Sequence, residues 1–405
     1  MKYISLFSGI GGLEHPSCDP FICCEIDKSC HPVLSSRMEK VKIVSDVGKF
    51  NPPKADAVVG GWPCQDISVA GKQVGLSGQN SGLFYQLLRV ARQAKAETIV
   101  AENVPNLLSM DNGAVFQHVL SGFEDAGYKF ISWRTINARE LGLPHQRRRV
   151  FIIASKNKKV ALRLHRPLVS KARKRNIKDE LKCDGFYWTA GLQSICYSQG
   201  FLPTLKVGSS LSIPSPPAIY FSNCVRKLSP QESLKAQGFK VSNFKKVLPK
   251  DIYRMTGNAV AVPVGNFVMD SLTVKDDIEV VPTSLFIVGK YPASGFSVDG
   301  FAQENRHHQA KLSSNLSSIV NFKDQENMSA RAAAGLVKRL CKSKLYCPND
   351  LMQLLAVVGG NLIQPDDVAC VKMWKDNTKN KSIDDDSTQS NSIDCGELDS
   401  KSCGT

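Results

Sequence analysis

The first 155 residues repeat one pattern, and this pattern restricts the fold more than any other feature of the chain. A short apolar or β-branched run is followed by a turn rich in Gly, Pro or Asp, and then by a segment compatible with a helix. This order is typical of a parallel sheet whose strands are joined by crossover helices. We therefore predict strands at Tyr3 to Phe7, Phe21 to Cys24, Val41 to Val44, Ala55 to Val59, Thr98 to Ala101, Tyr128 to Thr135 and Arg149 to Ala154.

Helical spacing of apolar residues is clearest from Ser81 to Ala94, where Ser81 is placed to cap the first turn. The segment Ser229 to Gly238 opens with a capping serine, a proline and a glutamate, which indicates a second helix. We predict a helix that returns to the sheet within Tyr253 to Asp270. Two amphipathic helices are expected near Ser329 to Cys341 and Asp350 to Val358.

Polar or glycine-rich residues follow each of the first five strand runs. In an open parallel sheet, ligands bind in the crevice outside the carboxyl ends of the strands. We therefore expect a cofactor pocket and a substrate pocket side by side, built from Ser8 to Gly12, Glu25, Asp46, Gly60 to Cys64, and Glu102 with Asn103.

The turn from Phe7 to Gly12 lets the backbone approach a ligand closely, but it lacks the third glycine of the dinucleotide fingerprint. A pyrophosphate is thus disfavoured, and a packing role for the glycines is the alternative. Glu25 is placed to accept hydrogen bonds from ribose hydroxyls, and Asp46 to accept one from an adenine amino group. An adenosine ligand without a diphosphate, such as S-adenosylmethionine, fits this set.

Cys64 follows Gly-Gly-Trp-Pro and precedes a loop with several glycines, a pattern typical of a hinged lid over a reactive group. A thiolate is suited to add to an electron-poor ring carbon, and Glu102 could make a pyrimidine electrophilic by donating to N3. The alternatives are a buried structural cysteine and a glutamate at a helix start.

Arg147 and Arg149 should point to the same side of a strand, where their guanidinium groups could bind a base carbonyl or a phosphate. They belong to a basic stretch from Arg139 to Lys182 that holds fifteen Lys/Arg and three Asp/Glu. Such a stretch is either a solvated face or a binding surface for a polyanion, most often nucleic acid.

Composition limits the remaining classes of protein. The chain has 405 residues, 42% of them hydrophobic, which allows two or three domains with a sizeable core. No run of residues is apolar enough for a membrane span or a secretory signal, so we expect an intracellular protein. Its thirteen cysteines are an odd number without zinc-finger spacing, which indicates reduced thiols and no structural metal. The Ser/Asn-rich tail from Asp376 to Thr405, with seven acids and three lysines, is expected to be disordered.

Taken in order, a set of motifs in this chain closely resembles the cytosine-C5 DNA methyltransferase family over roughly residues 1 to 270. Each motif alone is weak, whereas the ordered set is highly specific. The motifs are Phe7 to Gly12, Cys24 to Asp27, Gly61 to Gln65, Ala101 to Val104, Pro144 to Phe151, Arg226 to Phe239 and Gly257 to Val260.

The resemblance implies an α/β fold: a doubly wound, Rossmann-like S-adenosylmethionine methyltransferase domain with a smaller inserted target-recognition domain and a C-terminal extension. We expect a catalytic domain at 1–155, a target-recognition domain at 156–250 with its variable region to about 225, and a return to the catalytic domain at 251–271. Residues 272–375 form a partly helical region of unknown role, and 376–405 form the tail.

By the same resemblance, Cys64 adds to C6 of a cytosine flipped out of double-stranded DNA, Glu102 acts at N3, and Arg149, with Arg147 nearby, holds the base. C5 is methylated, as in restriction-modification systems, and S-adenosyl-L-homocysteine is the second product. The implied cofactor residues are Phe7, Ser8, Gly9, Ile10, Gly11, Gly12, Glu25, Ile26, Asp46, Val47, Pro63, Leu83, Asn258 and Val260, and the implied substrate residues are Gln65, Ser68, Lys72, Thr204 and Leu205.

We expect no metal and no membrane contact, a monomer, and a location in the cytoplasm or nucleoid of a prokaryote or in the nucleus of a eukaryote. Two rivals stay open. Some relatives with these motifs methylate cytosine in tRNA, but their Cys-Phe-Thr segment is missing from the variable region of this chain. A DNA-binding regulator without catalysis is the other, and intact Cys64, Glu102, Arg147 and Arg149 disfavour it.

Overall fold

A computed structural model gives the fold of the chain. It describes residues 1–14, 20–62, 82–168, 182–187, 196–207, 216–222, 224–274, 291–298, 301–304, 315–343 and 347–371. Five predicted site residues lie outside these ranges, namely Pro63, Cys64, Gln65, Ser68 and Lys72, as does the tail.

Within the described ranges the strands are β1 (Tyr3–Leu6), β2 (Ile22–Cys24), β3 (Lys42–Val44), β4 (Ala57–Gly61), β5 (Thr98–Asn103), β6 (Phe130–Asn137), β7 (Arg148–Ser155), β8 (Cys183–Phe186), β9 (Ala218–Phe221), β10 (Cys224–Lys227), β11 (Ser294–Val298) and β12 (Phe301–Glu304). The helices are α1 (His31–Arg37), α2 (Leu83–Gln93), α3 (Ala114–Asp125), α4 (Lys158–Leu162), α5 (Pro230–Ala236), α6 (Pro249–Asn258), α7 (Val262–Asp270), α8 (Ala330–Ser343) and α9 (Asn349–Gly359).

The main sheet has the strand order β12-β11-β6-β7-β5-β4-β1-β2-β3. Strands β3, β2, β1, β4 and β5 are mutually parallel, and β7 runs antiparallel between β5 and β6. All seven predicted strands are therefore confirmed. Because β1 lies between β2 and β4, the carboxyl ends of these strands meet at the point where the strand order reverses, which is where such sheets bind ligands.

Helices cover both faces of this sheet, so the predicted doubly wound architecture is confirmed. On one face, α2 and α3 contribute apolar side chains such as Phe84, Leu88 and Phe116 to a cluster with strand residues such as Ile99. On the other face, α7 packs against a second cluster that includes Val100. Burial of both faces explains why the central strands are continuous apolar runs.

Two helix predictions need correction. Gly82, and not Ser81, occupies the N-cap of α2, which begins at Leu83, and Ser81 lies outside the described residues. The segment Tyr253 to Asp270 is not one helix, because α6 ends at Asn258 and α7 begins at Val262. Pro263 explains the break, since in a continuous helix its ring would collide with the carbonyl four residues earlier.

A second, smaller sheet of order β10-β9-β8 forms the core of the predicted recognition domain. The sequence leaves open the role of the region after residue 272, and in the structure this region contacts both sheets. Strand β11 pairs antiparallel with β6 at the edge of the main sheet and carries β12 with it. Helices α8 and α9 pack on the small sheet, against side chains that include Phe186, Ala218 and Val225.

One disulfide contradicts the prediction of reduced thiols. Cys341 in α8 is bonded to Cys370, because the chain after α9 folds back against α8 and brings the two Cα atoms within 5.9 Å. Among the described residues, the seven other cysteines form no disulfide and are buried.

None of the described helices combines the length and the apolar character that a bilayer-spanning segment requires. Within the same ranges, no group of three or more His, Cys, Asp or Glu side chains is placed to hold a metal ion.

Candidate active site

The turn after β1 is held in a conformation that needs glycine. Gly9 and Gly11 have φ angles of 53° and 82°, and Phe7 shares this left-handed region at 55°. A Cβ atom on Gly12 would lie 2.0 Å from the carbonyl oxygen of Val260. The absence of a side chain at Gly12 thus allows two predicted cofactor segments, the first turn and the Asn258–Val260 segment, to be in contact.

Glu25 ties the first two strand ends together. Its Oε2 accepts a hydrogen bond from the Gly9 amide at 2.7 Å, and its Oε1 accepts one from the Asp27 amide at 2.8 Å. A carboxylate offers about four lone-pair positions, so acceptor capacity remains for hydroxyl groups of a ligand.

The third strand end carries Asp46, which caps a short 3₁₀ helix at Val47–Lys49 by accepting from the Gly48 amide at 2.9 Å. Its side chain is 48% exposed, and its other oxygen lies 3.8 Å from Lys49 Nζ. Of the other predicted cofactor residues, Ile10 and Ser8 are buried, Val47, Leu83 and Val260 are half-buried, and Asn258 is exposed.

These residues fit an adenosine ligand such as S-adenosylmethionine. Ile26, which directly follows Glu25, is 79% exposed and offers an apolar surface beside a carboxylate. A Cβ atom on Gly9 would meet nothing within 4 Å, so the space above this turn is open. A nucleoside requires an apolar surface for its flat ring and, beside it, hydrogen-bond acceptors for its hydroxyl groups.

Glu102 lies directly beside the end of β4. In the sheet it pairs with Gly61, and a Cβ atom on Gly61 would lie only 2.4 Å from Glu102 Oε2. The next residue, Asn103, donates from Nδ2 to the Trp62 carbonyl at 3.0 Å. The chain is therefore fixed against Glu102 and Asn103 up to the residue before Pro63, two positions before Cys64.

Arg149 forms an ion pair with Glu102. The distance between Arg149 Nε and Glu102 Oε1 is 3.2 Å, and the two side chains are 18% and 14% exposed. Burial raises the pKa of the Glu102 carboxyl, and the charges of Arg149 and Arg147 lower it by less. A raised pKa favours the protonated form of this carboxyl, which can donate to a substrate, over the carboxylate.

Arg147 lines one cavity together with Arg149, so the two side chains share a side of β7 as predicted. However, Arg147 is only 2% exposed, and its guanidinium donates to the carbonyls of Leu205 at 3.1 Å and Gly257 at 3.0 Å. Burial and the charge of Arg149 hold its pKa well below the usual range. These contacts favour a role in joining the main sheet to the segment that contains Leu205, within the predicted recognition domain, and to α6.

Thr204 and Leu205, predicted to contact substrate, lie at the same junction. The Thr204 hydroxyl donates to the Gln146 carbonyl, and the Leu205 side chain is buried in the apolar core beneath the small sheet. Both residues hold their own segment against the segment that precedes β7, and DNA contact by either stays a prediction.

Two residues of the site have no signal in the sequence. Arg37 in α1 donates to the Gly11 carbonyl at 2.8 Å, and its guanidinium lies 4.8 Å from the ring centroid of Phe239. Arg254 in α6 pairs with Asp27 and donates to Ser29 Oγ at 2.7 Å. Both join segments that are far apart along the chain, so spacing could not reveal them.

A sheet with this strand order, a glycine turn after β1 and an acid after β2 is typical of α/β domains that bind their ligands at the carboxyl ends of the strands. Comparison with known families makes the class specific. Residues 1–184 and 203–274 match the model of the C-5 cytosine-specific DNA methylase family.

Individual relatives agree. The chain is 34% identical over 294 residues to the type II methyltransferase M2.BsuMI of Bacillus subtilis (strain 168), across 67% of this chain and 75% of the relative. It is 27% identical over 303 residues to the type II methyltransferase M.Bsp6I of Bacillus sp. (strain RFL6), across 65% and 96%. The S. pombe Dnmt2 methyltransferase structure aligns with a TM-score of 0.49 and 14% identity, across 67% of this chain and 98% of that one, which is too loose a likeness to add to this result.

The chain belongs to the C-5 cytosine-specific DNA methylase family. It is a DNA (cytosine-5)-methyltransferase.

Proposed function

We propose that the chain transfers a methyl group from S-adenosylmethionine to C5 of a cytosine flipped out of duplex DNA, through a covalent bond between Cys64 and C6. The observation that carries this proposal is the Glu102 carboxyl, with a raised pKa, packed against Gly61 at the end of the strand that leads to Cys64. Type II methyltransferases among the relatives suggest that the activity serves a restriction-modification system.

The donor would be held at the carboxyl ends of β1, β2 and β3. Glu25 would accept from ribose hydroxyls, Ile26 would pack on the adenine ring, and Asp46 would accept from the adenine amino group. Bound there, S-adenosylmethionine supplies an electrophilic methyl group.

The chemistry at the base would use three side chains. Protonated Glu102 donates to N3 and withdraws electron density from the ring, while Cys64 adds as a thiolate to C6. The electron pair that this addition places at C5 would take up the methyl group while the bond between that group and the donor sulfur breaks, which leaves S-adenosylhomocysteine. Loss of the C5 proton to water would then expel the thiolate, and return of the N3 proton to Glu102 would restore the aromatic ring.

Arg149 would hold the base. Its guanidinium is anchored through Nη1 to the Arg148 carbonyl at 2.8 Å and faces Glu102 through Nε. A cytosine that enters beside Glu102 would bring its O2 carbonyl near this cation. Because C5 and C6 are stacked within a duplex, the base has to leave the helix before either carbon can react.

Methyl transfer to duplex DNA tests the proposal. The protein is incubated with S-[methyl-³H]adenosylmethionine and mixed-sequence duplex DNA, with tRNA as a competing substrate, and the products are digested to nucleosides. We expect label in 5-methyldeoxycytidine. Label in RNA alone, or in a methylated adenine, would contradict the proposal.

A Cys64→Ser variant separates the covalent step from binding. Serine is a far weaker nucleophile at neutral pH, so transfer should fall below detection while affinity for S-adenosylmethionine, measured by calorimetry, stays near that of the wild type. Wild-type transfer by this variant would exclude the covalent route.

A further inference from the structure

The region after residue 315 is built into the recognition domain and is not an appendage. The Met328 amide donates to the Val225 carbonyl at 2.7 Å, and the Val225 amide donates to Asn327 Oδ1 at 2.8 Å, which fixes this segment along β10. Arg226 Nε also donates to the Asp324 carbonyl at 2.9 Å. Helix α8 therefore starts from an anchored position.

The inner face of α8 is apolar and buried. Ala333, Leu336, Val337 and Leu340 pack with small-sheet residues in one cluster, and each is at most 2% exposed. The orientation of α8 about its axis is consequently fixed, and so is the set of side chains on its outer face.

The outer face of α8 is basic. Arg331, Gly335, Lys338 and Lys342 are all exposed and follow one another at intervals of four, three and four positions, which places them in one row. We refer to these four residues as the α8 basic face. From Ala330 to Ser343 the sequence contains four basic and no acidic residues. Among the described residues, none of the three cations on this face forms an ion pair.

Two features of the α8 basic face oppose helix formation. Lys338 and Lys342 are like charges at i and i+4, and Gly335 is a glycine in a helix interior. A Cβ atom on Gly335 would meet nothing within 4 Å, so packing within the protein does not require glycine there. This row of positive charge has no side chain at Gly335 and lowers the stability of its own helix. Both properties are expected where a polyanion approaches the helix closely.

The dimensions suit a nucleic acid backbone. The face extends over twelve residues from Arg331 to Lys342, and the eleven helical steps between them cover about 16 Å. Duplex DNA carries one charge per about 3.4 Å along each strand, so a row of this length can contact several phosphates.

We propose that the α8 basic face binds the phosphate backbone of the DNA substrate outside the target base. This proposal rests on the proposed function in one respect, namely that duplex DNA is the substrate. It gives the C-terminal region a role in DNA affinity that the catalytic residues do not share.

Salt-dependent DNA binding tests it. A triple variant, Arg331→Gln with Lys338→Gln and Lys342→Gln, and the wild type are titrated with a fluorescein-labelled 30-base-pair duplex of mixed sequence at 50 to 300 mM KCl. Loss of three phosphate contacts should make the slope of log K against log [KCl] shallower by about 2.7, and weaken binding at 100 mM by more than about tenfold. The turnover number at saturating DNA should not change.

Two further variants keep the result specific. A matched control changes Lys54, Lys95 and Lys129 to Gln. These exposed lysines precede the amino ends of β4, β5 and β6, away from the carboxyl ends of β4 and β5, where ligands are expected to bind. The salt slope of this control should stay at the wild-type value. A charge-preserving variant, Arg331→Lys with Lys338→Arg and Lys342→Arg, should also keep it.

A triple variant with the wild-type slope and affinity, or a control variant with an equal loss, would overturn the proposal. Wild-type protein that transfers methyl groups to the duplex separates this failure from failure of the proposed function. Wild-type protein that transfers none, while the variants keep the expected differences in salt slope, would overturn the proposed function alone.

Discussion

Two arginine–glutamate pairs in this chain are both largely buried, yet the pKa values of their glutamates move in opposite directions. Glu232 and Arg226 are 2% and 5% exposed, and the pKa of Glu232 is lowered, because hydrogen bonds from Arg226 and two backbone amides outweigh burial. Glu102 pairs with Arg149 through one nitrogen, and burial raises its pKa.

The number of donors around each carboxylate accounts for this difference. Glu232 accepts from two Arg226 nitrogens at 2.8 and 2.9 Å and from the amides of Ser229 and Asn321 at 2.8 and 2.7 Å. For Glu102, the described residues supply the single Arg149 contact. The Glu232 pair is thus satisfied within the protein, whereas Glu102 keeps acceptor and proton-donor capacity for a substrate.

Substitution of Glu102 should have the largest effect on catalysis. In Glu102→Gln, the amide cannot supply a proton to N3, so the single-turnover rate of methyl transfer should fall by about 10²- to 10⁴-fold. Stability should fall by much less than in the corresponding Glu232 variant, because burial already opposes the ionisation that this substitution removes. A rate close to that of the wild type would remove Glu102 from the mechanism.

Substitution of Glu232 should give the complementary result. Glu232→Gln leaves the buried Arg226 with the more exposed Asp324, 3.8 Å away, as its remaining acidic partner among the described residues, which should lower the free energy of unfolding by about 3 kcal/mol. Urea denaturation measures this loss, and the rate per folded molecule at low temperature should stay near the wild-type value. Unchanged stability, or a catalytic loss as large as that of Glu102→Gln, would break the distinction between the two pairs.

The two pairs should also respond oppositely to pH. The folded pKa of Glu232 lies below its ordinary value of 4.5, so its stabilising contribution is present above pH 4.5 and is lost as the pH falls through the folded pKa. The folded pKa of Glu102 lies above its ordinary value of 4.5. Its contribution to stability is therefore present below pH 4.5 and is lost as the pH rises through the folded pKa. The stability difference between wild type and each Gln variant, followed from about pH 3 to pH 8, should therefore change in opposite directions as the pH rises; changes in the same direction would contradict these pKa directions.

The smallest effect is expected at Asp27, beside the cofactor turn. Hydrogen bonds from Ser29 and Arg254 outweigh burial and lower its pKa to about 2. The side chains of Arg254 and Asp27 are 37% and 29% exposed, so solvent screens the pair, and Asp27→Asn should lower stability by less than about 1 kcal/mol. Affinity for S-adenosylmethionine, measured by calorimetry, should fall only a few-fold; a loss as large as that caused by changing Glu25 would assign Asp27 a direct contact.

How well the sequence predicts a feature depends on how far apart along the chain the interacting residues lie. Seven of the nine described strands of the main sheet, and the capping box at Ser229 and Glu232, are set by neighbouring residues, and the sequence predicts all of them. Strand β11 pairs with β6, which lies about 160 positions earlier, and Cys341 is bonded to Cys370, which lies 29 positions later. No local sequence pattern predicts either the strand pairing or the disulfide.

The site divides in the same way. The sequence predicts Glu102 and Arg149 because Glu102 lies near the end of one strand and Arg149 near the start of another, each within a recognisable motif. The contacts of Arg147 with Leu205 and Gly257 could not be predicted, because they depend on how two remote segments fold over β7.

Capture of the covalent bond tests the central claim most directly. The protein is incubated with S-adenosylmethionine and a duplex that contains 5-fluorocytosine, whose C5 fluorine cannot be lost as a proton is, and the trapped complex is digested and mapped by mass spectrometry. We predict one modified peptide, joined to the base through Cys64 in the wild type and absent from Cys64→Ser. Methylation of ordinary cytosine without any trapped complex, or attachment at another cysteine, would contradict the mechanism.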